Sequence, residues 1–149
     1  KCNMTDIIAA IGLVQLKRYP SLIQRRYEIV KKYDEAMDAM HIEHIQHVSD
    51  VYHSSAHLYM IRIPDISVEQ RNEIITRMAE NGVATNVHYK PLPMMSGYKA
   101  YGWDIKDFPN AYHLYHNEIT LPLHTLLSDE DVEIVIQTLR STLEEMKLL

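Results

Sequence analysis

The sequence predicts an α+β fold: a small, mainly antiparallel three-stranded sheet with helices packed mainly on one face. Three observations carry that prediction. Three short alternating runs, "AHLYMIRI", "VATNVHY" and "EITLPL", have the period of strands, while the stretches around them have helical period. The order is helix-helix, strand-helix-strand, irregular segment, strand-helix, which suits helices layered on a sheet rather than a repeating βαβ array. Near the C-terminus Val132, Val135, Ile136, Leu139, Leu143 and Met146 form the cleanest apolar stripe in the chain.

In chain order, Asn3 or Thr5 is placed to cap a first helix with Ile7, Ile11 and Val14 on one side and Ile8 beside them. Asp6 in its first turn suits the helix dipole. Pro20 is expected to interrupt it, because proline lacks the amide hydrogen and crowds the preceding turn. A second helix is expected from Ser21 to Met40, with Ile23, Tyr27 and Val30 facing one way and Arg25, Arg26, Lys31 and Lys32 the other. Residues 41 to 55 read as a loop, although the alternation in "HIEHIQH" also fits a half-exposed edge strand.

The first expected strand ends at Pro64. Ser67 and Gln70 then form a capping box for a helix to about Asn81, with Ile74, Ile75 and Met78 inward and Gly82 as its left-handed terminator. "VATNVHY" is the second expected strand. A long irregular connection from Lys90 to about Phe108 and a short helix around Asn110 to His116 lead to the third. Ser128 caps the last helix.

The totals narrow the function. A length of 149 residues suits one domain with a sizeable core. A net charge of -5 argues against nucleic acid as a partner. No apolar run approaches the roughly 18 residues that span a bilayer, so no membrane partner is expected. The single cysteine, Cys2, leaves no internal disulfide and fits a reducing, cytoplasmic setting. The chain opens on "KCNMTD", without methionine and inside a helix signal, and is expected to belong to something longer.

Among nine histidines, His41, His44 and His47 invite a metal reading, but they lack further ligands at the spacings of zinc sites, and none is assigned. His57, His113, His116 and His124 are isolated and read as structural. His88 and Tyr89 stand apart. They sit together at a strand exit that "KPLP" stiffens through Pro91 and Pro93, and imidazole and phenol both donate and accept hydrogen bonds to hydroxyls.

"NMTDIIAAIGLVQLKR", "SSAHLYMIRI", "NGVATNVHYKPLPMM" and "NEITLPLHTLLSDEDVEIVI" together resemble, in order, the C-terminal part of sugar aminotransferases of the DegT/DnrJ/StrS type. The resemblance implies the small C-terminal domain of the aspartate aminotransferase fold. Residues 1–40 would be leading helices that pack on a large domain, and 41–149 the small domain. It implies a pyridoxal phosphate cofactor held mostly by the large domain, an amino group moved from glutamate to a keto carbon of a nucleotide-linked sugar, and a homodimer. In many relatives Gly-x-Asn-x-Arg precedes the Met-Thr-Asp that stands here at 4–6, so Lys1 occupies the cofactor-phosphate asparagine position and Asn3 the arginine position. Those two are the implied cofactor-binding residues, and His88 and Tyr89 the implied substrate-binding pair. Pro93 stands where many relatives have a second histidine. No catalytic residue is implied within the chain, because the Schiff-base lysine belongs to the large domain, and the chain alone is expected to be inactive. A family dehydratase and a non-catalytic interaction module are the alternatives.

Overall fold

The computed structural model describes residues 3–149. Five helices and a three-stranded sheet are formed: α1 (Asp6–Ala39), β1 (Glu43–His44), β2 (Tyr59–Arg62), α2 (Val68–Glu80), α3 (Ser96–Lys99), α4 (Pro109–Tyr115), β3 (Glu118–Leu121) and α5 (Asp129–Glu145). The sheet order is β1-β2-β3 and both pairings are antiparallel, as expected.

Two of its three strands lie where the alternating runs put them. The third does not. β1 falls in the stretch read as a loop, at the "EH" of "HIEHIQH", where the alternation had offered an edge strand. "VATNVHY" does not become a strand. It touches β3 through a single bridge, Asn86 to Thr120. The reason is local: the Asn86 carboxamide accepts the next amide, Val87 N, at 2.8 Å, and the His88 amide donates to the Glu118 carboxylate at 2.9 Å instead of to a neighbouring main chain. A ladder whose amides are taken by side chains stops.

α1 corrects a second expectation, since one helix of 34 residues runs through Pro20. The carbonyl that Pro20 leaves unbonded lies in a stretch, residues 10–21, that is exposed throughout, so water can satisfy it. Ser21 Oγ also donates to the Arg18 carbonyl at 2.8 Å. Thr5, not Asn3, is the cap, accepting Ile8 N through its hydroxyl. Before Pro20 the apolar residues Ile7, Ile8, Ile11 and Val14 are exposed; after it Ile29, Tyr33 and Met37, spaced by four, are fully buried.

That second half is fastened at several points. Arg25 donates to the Leu127 carbonyl at 2.6 Å and pairs with Asp129 at 2.9 Å; Arg26 donates to the Ala56 carbonyl at 2.7 Å. Tyr27, Tyr33 and Tyr59 hydroxyls donate to Ser54 O, Pro122 O and the Asp34 carboxylate. Burial pushes the Tyr33 and Tyr59 hydroxyls well above the ordinary phenol range, so both remain donors.

One apolar core lies between the helices and a single face of the sheet. Tyr59 and Ile61 from β2, and Ile119 and Leu121 from β3, meet Ile74 and Met78 of α2 and Val132, Leu139 and Leu143 of α5. Both capping boxes form: Ser67 with Gln70, and Ser128 with Asp131. Gly82 closes α2 at φ +81°, a conformation that favours glycine.

Truncating Leu139, fully buried, to alanine is expected to cost about 2–5 kcal/mol. Ile134→Ala, on the exposed side of the same helix, should change stability by less than about 0.5 kcal/mol. Urea unfolding of the two variants with unchanged slope checks the assignment of faces.

Candidate functional site

The face of the sheet turned away from the core is polar, and the strand register dictates which residues it carries. β2 pairs with β3 so that Met60 opposes Thr120 and Arg62 opposes Glu118, while β1 places Glu43 beside Arg62. Side chains alternate along a strand and paired residues share a face, so these five project together. Arg62 organises one end. It pairs with Glu43 at 3.2 Å, donates through Nε to Asn117 Oδ1 at 3.1 Å, and meets His113 Nε2 of α4 at 3.2 Å. Asn117 in turn donates to the Ile63 carbonyl at 2.8 Å.

His88 is held against β3 by two bonds, which a third contact joins into a ring. Glu118 Oε2 accepts its main-chain N–H at 2.9 Å, and its Nδ1 lies 2.8 Å from Thr120 Oγ1. The Thr120 hydroxyl donates to Glu118 Oε1 at 2.5 Å, closing a ring of contacts. Tyr89 meets the His88 ring edge to face at 4.6 Å and is 71% exposed. The strand alternation that would have separated the pair is absent, so both side chains stand at one rim. Beyond them Pro91 precedes the tight turn Leu92–Met94, which bonds Met94 N to Pro91 O at 2.9 Å, and Pro93 is buried.

His88 borders two clefts of about 340 Å³ each. One runs over Glu43, Met60, Arg62, Leu114 and Glu118; the other over His57, Thr85, Asn86, Thr120 and Leu123. Arg71 supports β3 from beneath. It is fully buried, donates to the Tyr115 and Glu118 carbonyls at 3.2 and 3.3 Å, and stacks on Tyr115 at 4.8 Å. Burial raises the Glu118 carboxyl pKa, against the opposing pull of the Thr120 hydroxyl, the His88 amide and the charges of His88 and Arg71. The rim thus offers an imidazole, a phenol and a guanidinium to a polyhydroxylated or anionic ligand.

The other residues singled out from the sequence are dispersed. Lys1 lies outside the described residues. Asn3 is exposed ahead of the α1 cap and lines neither cleft that His88 borders. His44 lies between Asp34 and Asp38, at 3.1 Å from each, and His47 bonds Ser54 at 2.7 Å, with burial lowering its pKa; His41 is exposed. His57 is exposed, and its carbonyl rather than its ring contributes a bond, from Arg26 at 3.3 Å. Glu118, Thr120 and Arg62 were not anticipated. The available signal was Arg62 in one strand, and Glu118 and Thr120 in another, alternating with the apolar residues Ile61, Ile119 and Leu121.

Because the folded chain holds the Glu118 proton more tightly than the unfolded chain does, stability should fall as pH rises from the ordinary 4.5 to the higher folded value, and level off above it. Glu118→Gln should remove that decline. Unfolding free energies of both proteins across the acid range test this; parallel curves would refute it.

The chain matches the model of the DegT/DnrJ/EryC1/StrS aminotransferase family over residues 1–140. It is 36% identical over 143 residues to the spore coat polysaccharide biosynthesis protein SpsC of Bacillus subtilis, covering 94% of this chain and 37% of that protein. It is 31% identical over 145 residues to the UDP-4-amino-4,6-dideoxy-N-acetyl-beta-L-altrosamine transaminase of Campylobacter jejuni, covering 97% and 38%. Spr1654 of Streptococcus pneumoniae, named as a sugar aminotransferase and solved in a PLP-form, superimposes with a TM-score of 0.93 at 51% identity, over 100% of this chain and 38% of that one. The chain therefore spans less than two fifths of the length of these relatives. With its fold, its ordered motifs and nearly its whole length matched, the chain belongs to the DegT/DnrJ/EryC1/StrS aminotransferase family.

Proposed function

We propose that this chain is the C-terminal part of a pyridoxal-phosphate-dependent aminotransferase that transfers an amino group from glutamate to a keto carbon of a nucleotide-linked sugar, for amino-sugar or surface polysaccharide synthesis. The observation that carries the reading is the near-complete match to sugar aminotransferases with His88 and Tyr89 fixed together at a polar rim. In this reading residues 1–40 lead in from a large domain, their half beyond Pro20 packing on the small domain of 41–149, and the enzyme works in the cytoplasm.

The described residues do not form a complete holder for the cofactor. Neither cleft beside His88 contains a lysine that could bond it covalently. The cofactor supplies the electron sink and the protein must position it. In this reading the Schiff-base lysine lies on polypeptide beyond this chain, which alone has no transaminase activity. The family resemblance assigns the cofactor phosphate to Lys1, as a point charge, and Asn3. The role left to the described residues is to bind and orient the sugar, with His88 and Tyr89 on its hydroxyls and Arg62, across from Glu118, in the cleft that His88 borders. Fixing a reactant in this way contributes through orientation.

His88→Ala with Tyr89→Ala in the full-length enzyme is expected to lower sugar-dependent turnover about a hundredfold, while the half-reaction with glutamate proceeds at its normal rate. Unchanged sugar KM and kcat would defeat the assignment.

The uncovered stripe Ile7, Ile8, Ile11 and Val14 is too apolar to remain in water, and in this reading it is buried against the large domain or the homodimer partner. The 149-residue chain should therefore self-associate in sedimentation, and Ile11→Glu with Val14→Glu should return it to a monomer. A wild-type chain that stays monomeric at high concentration would contradict this.

A further inference from the structure

The geometry points to Glu118 and Thr120 as positioning residues that decide which ring nitrogen of His88 carries the proton. They leave Nε2 as a bare acceptor aimed at a ligand hydroxyl. The inference rests on the reading that His88 meets the sugar, but its structural half stands without it.

A threonine hydroxyl has one proton to donate and two lone pairs, whereas an ionised carboxylate can only accept. Thr120 Oγ1 lies 2.5 Å from Glu118 Oε1, so its proton is directed there. The remaining contact of that hydroxyl, at 2.8 Å to His88 Nδ1, must then carry the imidazole's proton toward oxygen. A neutral imidazole has a single N–H, so Nε2 keeps its lone pair. Among the described residues Nε2 has no hydrogen-bond partner, and it is not among the buried unpartnered atoms. The same carboxylate fixes the ring's anchor, because Oε2 accepts the His88 main-chain N–H at 2.9 Å.

The arrangement has a chemical consequence. A sugar hydroxyl that donates to Nε2 becomes a better acceptor for other groups. If the hydroxyl proton moves onto Nε2, the imidazolium lies one hydroxyl away from the Glu118 charge. Thr120 is itself held by the bridge to Asn86, with main-chain bonds of 2.7 and 3.2 Å, so the relay is pinned to both segments it joins.

The wiring predicts its own reversal. In Glu118→Gln the amide oxygen is needed by the His88 N–H, so the NH2 group faces Thr120 and donates to it. The hydroxyl must then donate to Nδ1, and the ring proton shifts to Nε2. Long-range 1H–15N correlation spectra of histidine-labelled chain at about pH 8, above the ordinary histidine pKa, read the tautomer directly.

The expected result is an Nδ1–H ring at His88 in the wild type and an Nε2–H ring in Glu118→Gln. Thr120→Ser should keep the wild-type signature and Thr120→Val should lose it, which reads the wiring even where Glu118→Gln does not fold. An Nε2–H ring in the wild type, or the same tautomer in wild type and Thr120→Val, would overturn the inference. In the full-length enzyme Glu118→Gln should lower sugar-dependent kcat at least tenfold, roughly a part of the factor expected of a positioned proton acceptor, with the glutamate half-reaction unchanged. A tautomer that flips while sugar turnover holds supports the wiring and removes the sugar from His88. A loss of turnover in His88→Ala with no flip in Glu118→Gln keeps the sugar at His88 and removes the wiring.

Discussion

The carboxylate of Glu118 joins two parts of the chain that no sheet ladder joins. One oxygen holds the backbone of His88 and the other reaches its ring through Thr120. Burying a carboxylate is costly unless its oxygens are bonded, and here both are. That requirement places residues 86–89 against β3 as side-chain-bonded coil rather than as a fourth strand, and it ends the pairing at one bridge. The rim exists because a side chain captured an amide that a strand would have used.

The same logic of satisfied polar groups runs through the rest of the molecule. Arg71 is buried with its guanidinium on the carbonyls at the entry to β3 and against the Tyr115 ring, so the strand that carries Glu118 is supported from below. Arg25 and Arg26 extend from α1 to main-chain carbonyls at Leu127 and Ala56. Their aliphatic stems and planar heads allow charge at the edge of a core without leaving it unpaired. The helical layer, the sheet and the coil are thereby locked in one arrangement around a single apolar core.

α1 divides at Pro20 in environment though not in conformation. Beyond it the helix is part of the core; before it the helix is exposed on all sides and carries an apolar stripe. An exposed helix gains little from tertiary packing, which normally supplies most helical stability. The stripe is therefore a surface that packing within the chain leaves uncovered, in a chain that accounts for 38% of the length of Spr1654.

Local chemistry was legible in the sequence. The caps at Ser67 and Ser128, the turn at Gly82, the inward faces of α2 and α5 and two of the three strands depend on neighbours within a few residues, and the sequence states them directly. His88 and Tyr89 stood out for the same reason, beside the prolines that stiffen their exit. Only the tertiary structure decided that "VATNVHY" is coil, that β1 forms at Glu43, that Pro20 is passed through and that Glu118, Thr120 and Arg62 build the rim. Pro20 is passed because the carbonyl it leaves unbonded stays in water; the others depend on a partner distant in sequence, such as a carboxylate 30 residues away taking an amide. A periodic pattern records which way a side chain faces; it does not record what is waiting there to bond it.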